Sequence, residues 1–127
     1  MILGIGTDII KTARFERVTE PFMARVFTLD ERAYILKKGH ITAAGIFAAK
    51  EAIAKALGTG FRDFWPSHIE ITHDSMGMPG AVLHGSARLF ARKMAGRSSR
   101  FGHRYSINIS ISHTEADAVA FAIISTK

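Results

Sequence analysis

Cysteine is absent from the 127 residues. That excludes disulfide scaffolds, thiolate zinc sites and thiol nucleophiles together. Proline occurs three times and tryptophan once, and the chain shows no internal repeat, low-complexity tract or linker-like stretch, so a repeat architecture is not expected. No apolar run reaches the roughly 18 residues that a membrane-spanning helix needs. The opening Met1-Ile2-Leu3-Gly4-Ile5-Gly6 has neither a basic n-region nor a long apolar h-region, so no signal peptide is expected. These absences point to a cytoplasmic protein with no membrane span. No G-x-x-x-x-G-K-S/T and no G-x-S-x-G occurs, which leaves P-loop nucleotide chemistry and nucleophile-elbow hydrolysis unsupported. Acidic residues are scarce too. Asp plus Glu number 11 against 17 Lys plus Arg, a net charge of +6. None lies between Asp74 and Glu115, where Arg88, Arg92, Lys93, Arg97, Arg100 and Arg104 accumulate. Such a surface attracts anions: nucleic acid, phosphate-rich ligands or an acidic protein.

What is present is ordinary for a folded domain. Hydrophobic residues make up 47% and charged residues 22%, and the length suits one domain, residues 1–127. Ile2 to Ile5 reads as a short strand ending at Gly6-Thr7-Asp8. Ile9 to Val18 reads as a helix whose polar side carries Lys11, Arg14 and Arg17 at steps of three. Thr28-Leu29-Asp30-Glu31 is a capping box that opens a helix to about Lys38, with Gly39 as its stop. Thr42 to Leu57 gives the strongest helical pattern, rich in alanine and closed by Gly58. On it Ile46, Ile53 and Leu57 share one face; Phe47, Glu51, Lys55 and Gly58 share another; Lys50 lies between. The second half is strand-rich: His68 to His73, a turn over Asp74 to Gly80, and a return at Ala81 to Leu83. Ser86 to Ala95 reads as a helix. Tyr105, Ile107, Ile109 and Ile111 alternate with Ser106, Asn108, Ser110 and Ser112, and Ala118 to Ile124 pairs with that strand across a short turn. The expected class is α+β, an antiparallel sheet with packed helices.

Two carboxylates, Asp8 and Glu51, and two lysines, Lys50 and Lys55, lie near glycine-containing turns. Magnesium takes one or two carboxylates, waters and phosphate oxygens, and lysines neutralise phosphate as point charges. The set therefore suggests a magnesium–phosphate site. Taken singly, Asp8 also suits a helix cap, Glu51 an ion pair with Lys55, and Gly58 a helix stop. His68, Glu70 and Thr72 share a strand face without a third clear zinc ligand. Aromatic and basic residues do not interleave as in an RNA-binding sheet, so no nucleic-acid partner is expected. A basic nucleic-acid module is kept as the reading from another class.

Gly4-Ile5-Gly6-Thr7-Asp8 and Phe47-Ala48-Ala49-Lys50-Glu51-Ala52-Ile53-Ala54-Lys55-Ala56-Leu57-Gly58-Thr59-Gly60 resemble the two signatures of the phosphopantetheinyl transferases. Ser110-Ile111-Ser112-His113-Thr114 resembles the third, and Gly77-Met78-Pro79 looks like the family's G-x-P turn. Order, spacing and length are similar to the short bacterial type, the holo-(acyl-carrier-protein) synthases, over essentially the whole chain. The resemblance implies transfer of 4′-phosphopantetheine from coenzyme A to a serine of an acidic apo acyl carrier protein, for fatty-acid biosynthesis or on a polyketide or peptide synthase carrier. It implies magnesium on Asp8 and Glu51. Lys55, together with Lys50, would contact the coenzyme's phosphates, and Gly58, Gly60 and Pro79 would shape its bed. Ser112, His113 and Thr114 would reach the nucleotide end from a neighbouring subunit of a homotrimer with sites at subunit interfaces. Lys11, Arg14, Arg17 and Arg25 would dock the carrier. Two departures stand out. Ile46 replaces a basic residue common before F-A-A-K-E-A, with Arg88 and Arg92 as candidate substitutes, and the segment His84 to Arg104 is long.

Overall fold

The computed structural model describes residues 1–98 and 104–127; Arg100 of the basic segment lies outside them. Strand β1 (Ile2–Lys11) leads through a 3-10 turn (Thr12–Phe15) into helices α1 (Glu20–Val26), α2 (Leu29–Lys38) and α3 (His40–Ala56). A second 3-10 turn (Pro66–His68) precedes β2 (Ile69–His73) and β3 (Pro79–Leu83); α4 (Gly85–Ser98), β4 (Tyr105–His113) and β5 (Asp117–Thr126) follow. The strands form an antiparallel sheet in the order β1-β5-β4 and a separate β2-β3 hairpin. The class is α+β, as the pattern predicts.

Helix α3 lies on one face of the large sheet, and small side chains let it approach. Ala48, Ala49, Ala52, Ala54, Ala118, Ala120 and Ala122 are fully buried or nearly so. Strand residues two apart share a face, which puts Gly4, Gly6, Asp8 and Ile10 of β1 on the α3 side. Its other face, with Ile5, Ile9, Phe121 and Ile123, is apolar and from 37% to 69% exposed.

The expected helix from Ile9 to Val18 does not form. β1 continues to Lys11, paired residue for residue with β5 as far as Asp117. Ile9 and Ile10 point to opposite faces that are both apolar, a pattern that resembles a helix's apolar positions in sequence. Thr12 ends the strand, donating its N–H to the Ala116 carbonyl at 3.0 Å and its hydroxyl to the Glu115 carbonyl. Lys11, Arg14 and Arg17 are therefore not one helical stripe. Helix α1 was not expected from the pattern: its 7 residues are too few to show a period, and it is started by Thr19, whose hydroxyl accepts the Phe22 N–H at 3.3 Å, and by Pro21 in the first turn. The Thr28–Glu31 capping box forms as the motif predicts, and α4 runs longer than the expected Ser86 to Ala95.

Candidate active site

Asp8 stands on the α3 side of β1 with its side chain 17% exposed. Lys55, near the end of α3, donates to Asp8 Oδ1 at 3.0 Å and to the Thr7 carbonyl at 3.0 Å. Glu51, one turn earlier, holds its proton more tightly than an ordinary carboxylate. Burial is the main cause, the Asp8 charge adds to it, and Lys55 and Arg14 oppose it. Lys55 thus bridges helix to strand rather than serving only as the i+4 partner of Glu51. The fold brings Asp8, Glu51 and Lys55 together from distant parts of the chain.

The donor set suits magnesium. Among the described residues no three His, Asp or Glu side chains converge, and Asp8 and Glu51 offer hard oxygen donors, the electrostatic cost of whose proximity a divalent cation relieves. Just past Lys55 the chain turns at Gly58 and Gly60, whose φ values of 85° and 59° suit glycine. Their N–H groups are held by the Lys55 carbonyl at 2.9 Å and the Ala54 carbonyl at 3.2 Å, which fixes the turn beside the Lys55 ammonium.

Pro79 and His113 line a separate cavity of about 190 Å³ with Gly77, Ile46, Tyr34 and His73. Tyr34 and His73 stack there with ring centroids 4.1 Å apart; burial lowers the His73 pKa, with Lys38 adding and Asp74 opposing. Ser112, His113 and Thr114 are exposed and border an apolar groove with Ile9 and Val119. Asp8 pairs with Ala120, which pairs with Ile111, so the end of β4 lies two strands, about 10 Å, from Asp8. A single chain does not bring Ser112 to Thr114 up to the carboxylates.

Lys50 requires a correction. It is fully buried and faces away from solvent. Its ammonium pairs with Glu31 Oε1 at 2.7 Å and donates to the carbonyls of Pro66 at 3.0 Å and Ile69 at 2.5 Å. All three protons are taken, so it cannot reach a phosphate. Sequence reasoning missed Glu31 as its partner because the capping box already accounted for that residue. Of the docking candidates, Arg14 sits 5.6 Å from the Phe47 ring centroid, one turn before Glu51; Lys11 lies 3.8 Å from Asp117; Arg17 and Arg25 are exposed. Glu70 accepts from the Thr28 hydroxyl at 2.7 Å and lies 3.1 Å from His84, while His68 faces Ser86.

Residues 4–119 match the family model of the 4′-phosphopantetheinyl transferase superfamily. The chain belongs to that superfamily. A relative named holo-(acyl-carrier-protein) synthase, from Alkaliphilus oremlandii, is 46% identical over 97% of this chain and 98% of its own. The fold is similar to the crystal structure of a holo-(acyl-carrier-protein) synthase from Bacillus anthracis in complex with CoA (3′,5′-ADP), at a TM-score of 0.79 and 31% identity over 100% and 99% of the two chains. It is also similar to the Helicobacter pylori holo-(acyl-carrier-protein) synthase in complex with coenzyme A, at a TM-score of 0.75 and 28% identity over 95% and 99%. In this member of the superfamily Ile46 is 1% exposed. Arg88 and Arg92 do not replace a cation there within the chain: their charges act on Tyr105, at the opposite end of β4 from His113.

Proposed function

We propose that the chain transfers 4′-phosphopantetheine from coenzyme A to a serine hydroxyl of an acidic apo acyl carrier protein, releasing adenosine 3′,5′-bisphosphate, and that its carrier serves fatty-acid biosynthesis in the cytoplasm. The observation that carries this reading is the assembly of Asp8, Glu51 and Lys55 beside the Gly58–Gly60 turn. The serine oxygen attacks the phosphorus that bears pantetheine. The bond from that phosphorus to the bridging oxygen breaks, and the bisphosphate leaves with the electron pair. Such chemistry needs in-line positioning and charge stabilisation rather than a covalent protein intermediate. Asp8 and Glu51 would hold magnesium, which supplies neutralisation of the pyrophosphate charge. Lys55, anchored on Thr7 and Asp8, places a cation beside the phosphates. The serine proton passes to Glu51 or to solvent at the site.

Intact-mass spectrometry tests the reaction. Incubating the protein with coenzyme A, magnesium and an apo carrier is expected to add one phosphopantetheine to the carrier, and chelator or Asp8→Ala is expected to abolish the gain. No gain on any apo carrier, with fatty-acid, polyketide and peptide synthase carriers compared side by side, would overturn the reading.

We further propose a homotrimer in which the exposed Ile5, Ile9, Phe121 and Ile123 face is covered by neighbouring copies and Ser112, His113 and Thr114 complete a neighbour's site. Their distance from Asp8 within one chain supports this. Phe121→Glu would bury a charge at such an interface, so light scattering after size exclusion should show the trimer replaced by monomer. A variant of unchanged mass would remove the sheet from the interface.

A further inference from the structure

The buried Lys50 raises a question that the transfer reaction does not answer. Its ammonium and the Glu31 carboxylate are 0% exposed, and burial alone pushes the lysine toward its neutral form against the pull of Glu31. Desolvating two such charges costs several kcal/mol each, and a well-packed apolar pair is often as stable. An apolar pair, however, would take away the side-chain partners of the Ile69 carbonyl and of the Thr28 and Ile71 N–H groups, and one of the two donors to the Pro66 carbonyl. Lys50 satisfies the carbonyls of Pro66 and Ile69. Glu31 accepts the N–H of Thr28 at 2.8 Å and of Ile71 at 2.7 Å. The Phe27 ring covers the ammonium, with its centroid 5.6 Å away. Among the described residues no buried side-chain polar atom lacks a partner, so the network is complete.

The contacts have a direction. Lys50 belongs to α3, one residue before Glu51 and little more than a turn before Lys55. Pro66 and Ile69 begin the segment that returns from the Gly58–Gly60 turn. The near end of that loop is fixed to α3 by the Gly60 N–H on the Ala54 carbonyl at 3.2 Å. Its far end is fixed to the same helix by the Lys50 side chain. The loop between is thereby pinned at both ends to the helix that carries the catalytic carboxylate.

We infer that Lys50, paired with Glu31, is a positioning residue that clamps the 58–65 loop to α3 and so sets the coenzyme-binding geometry beside Lys55. It touches no substrate atom. Its effect is on coenzyme affinity more than on carrier docking, because the clamped loop begins at the Gly58–Gly60 turn just past Lys55, whereas Arg14 packs on Phe47 and not on the Lys50 network. The inference rests on the transfer reading above.

The test is steady-state kinetics of the Lys50→Met/Glu31→Leu double variant, which removes both charges together and so avoids leaving one buried and unpaired. The expected result is a folded protein whose KM for coenzyme A rises about tenfold, the size of effect that lost positioning contacts produce, while KM for the apo carrier changes less than about twofold. Unchanged coenzyme KM in the folded double variant would overturn the clamp and leave the pair a structural element only. A parallel rise in both KM values would overturn it as well. Lys50→Arg decides in the same way if the double variant does not fold, since a planar guanidinium keeps the charge but not the three-way geometry. In that variant, amide hydrogen exchange over residues 57–68 should quicken while the centre of α3 stays protected; unchanged exchange would overturn the proposal. Wild-type protein that transfers nothing to any carrier fails the transfer reading instead, which keeps the two failures distinct.

Discussion

Gly6→Ala is expected to be strongly destabilising. A Cβ at Gly6 would lie 1.8 Å from the Ala52 carbonyl oxygen and 2.8 Å from the Ala56 nitrogen; at Gly4 it would lie 1.9 Å from the Ala56 carbonyl oxygen. The obstructing atoms are helix backbone, not the ends of flexible side chains, so no rotamer change makes room. β1 would have to lift off α3 by more than an ångström, opening the alanine layer beneath. Overpacking in cores costs about 1–3 kcal/mol and occasionally more, and a clash with backbone belongs at the upper end. A domain of this size has about 5–15 kcal/mol in total, and about 1 kcal/mol moves its melting point by roughly 4 °C. Thermal unfolding followed by circular dichroism should therefore show Tm lowered by about 10 °C or more, with Asp8 carried away from Lys55 in whatever remains folded. A Tm within about 2 °C of wild type would mean that the strand and helix backbones do not meet. On this argument the two glycines of Gly4-Ile5-Gly6-Thr7-Asp8 act on the site by proximity: they let the strand press on the helix so that Asp8 arrives where Glu51 and Lys55 are.

That close approach also decides what could be read from the sequence. The alternation of Ile107, Ile109 and Ile111 with serines and asparagine announces β4, because one of its faces is packed and the other polar. β1 gives no such alternation beyond Gly6, since Ile10 is buried while Ile9 lies on the exposed apolar face of the sheet, and a strand with two apolar faces mimics a helix. The α2 start was legible because a capping box is local. The buried pairing of Lys50 with Glu31 was not, because the two meet only when α2 and α3 pack and because Glu31 serves as cap and counter-ion at once. Asp8, Glu51 and Lys55 could be singled out by residue type and by the faces of α3. The reach of Lys55 to the strand depends on a helix–strand contact that no spacing encodes. That Arg88 and Arg92 act on Tyr105 and not near Ile46 within one chain was hidden for a similar reason: α4 is recognisable as a helix, but the end of the sheet against which it packs is a tertiary fact.

Glu51→Gln should separate catalysis from stability. The amide keeps the size of the side chain and removes its charge and its capacity to accept a proton. Transfer to the apo carrier is expected to fall by about two to four orders of magnitude, the range for losing a proton acceptor, and a lost metal ligand would act in the same direction. The proposed trimer should persist, because Glu51 faces Asp8 and not the exposed sheet face. Stability should move the other way. In the folded chain, burial and the Asp8 charge raise the Glu51 pKa, so the ionised carboxylate is less comfortable folded than unfolded. Its contribution is most favourable below the unfolded pKa and is lost as pH rises through the folded one. The glutamine variant does not suffer that loss. In metal-free buffer its Tm should exceed that of wild type at neutral pH, and the difference should close as pH falls through the range in which Glu51 gains its proton. A variant less stable than wild type at neutral pH would show that the charge is compensated in the folded state, chiefly by Lys55 and Arg14. An inactive, more stable variant would identify Glu51 as a group whose folded environment costs stability because catalysis needs it there.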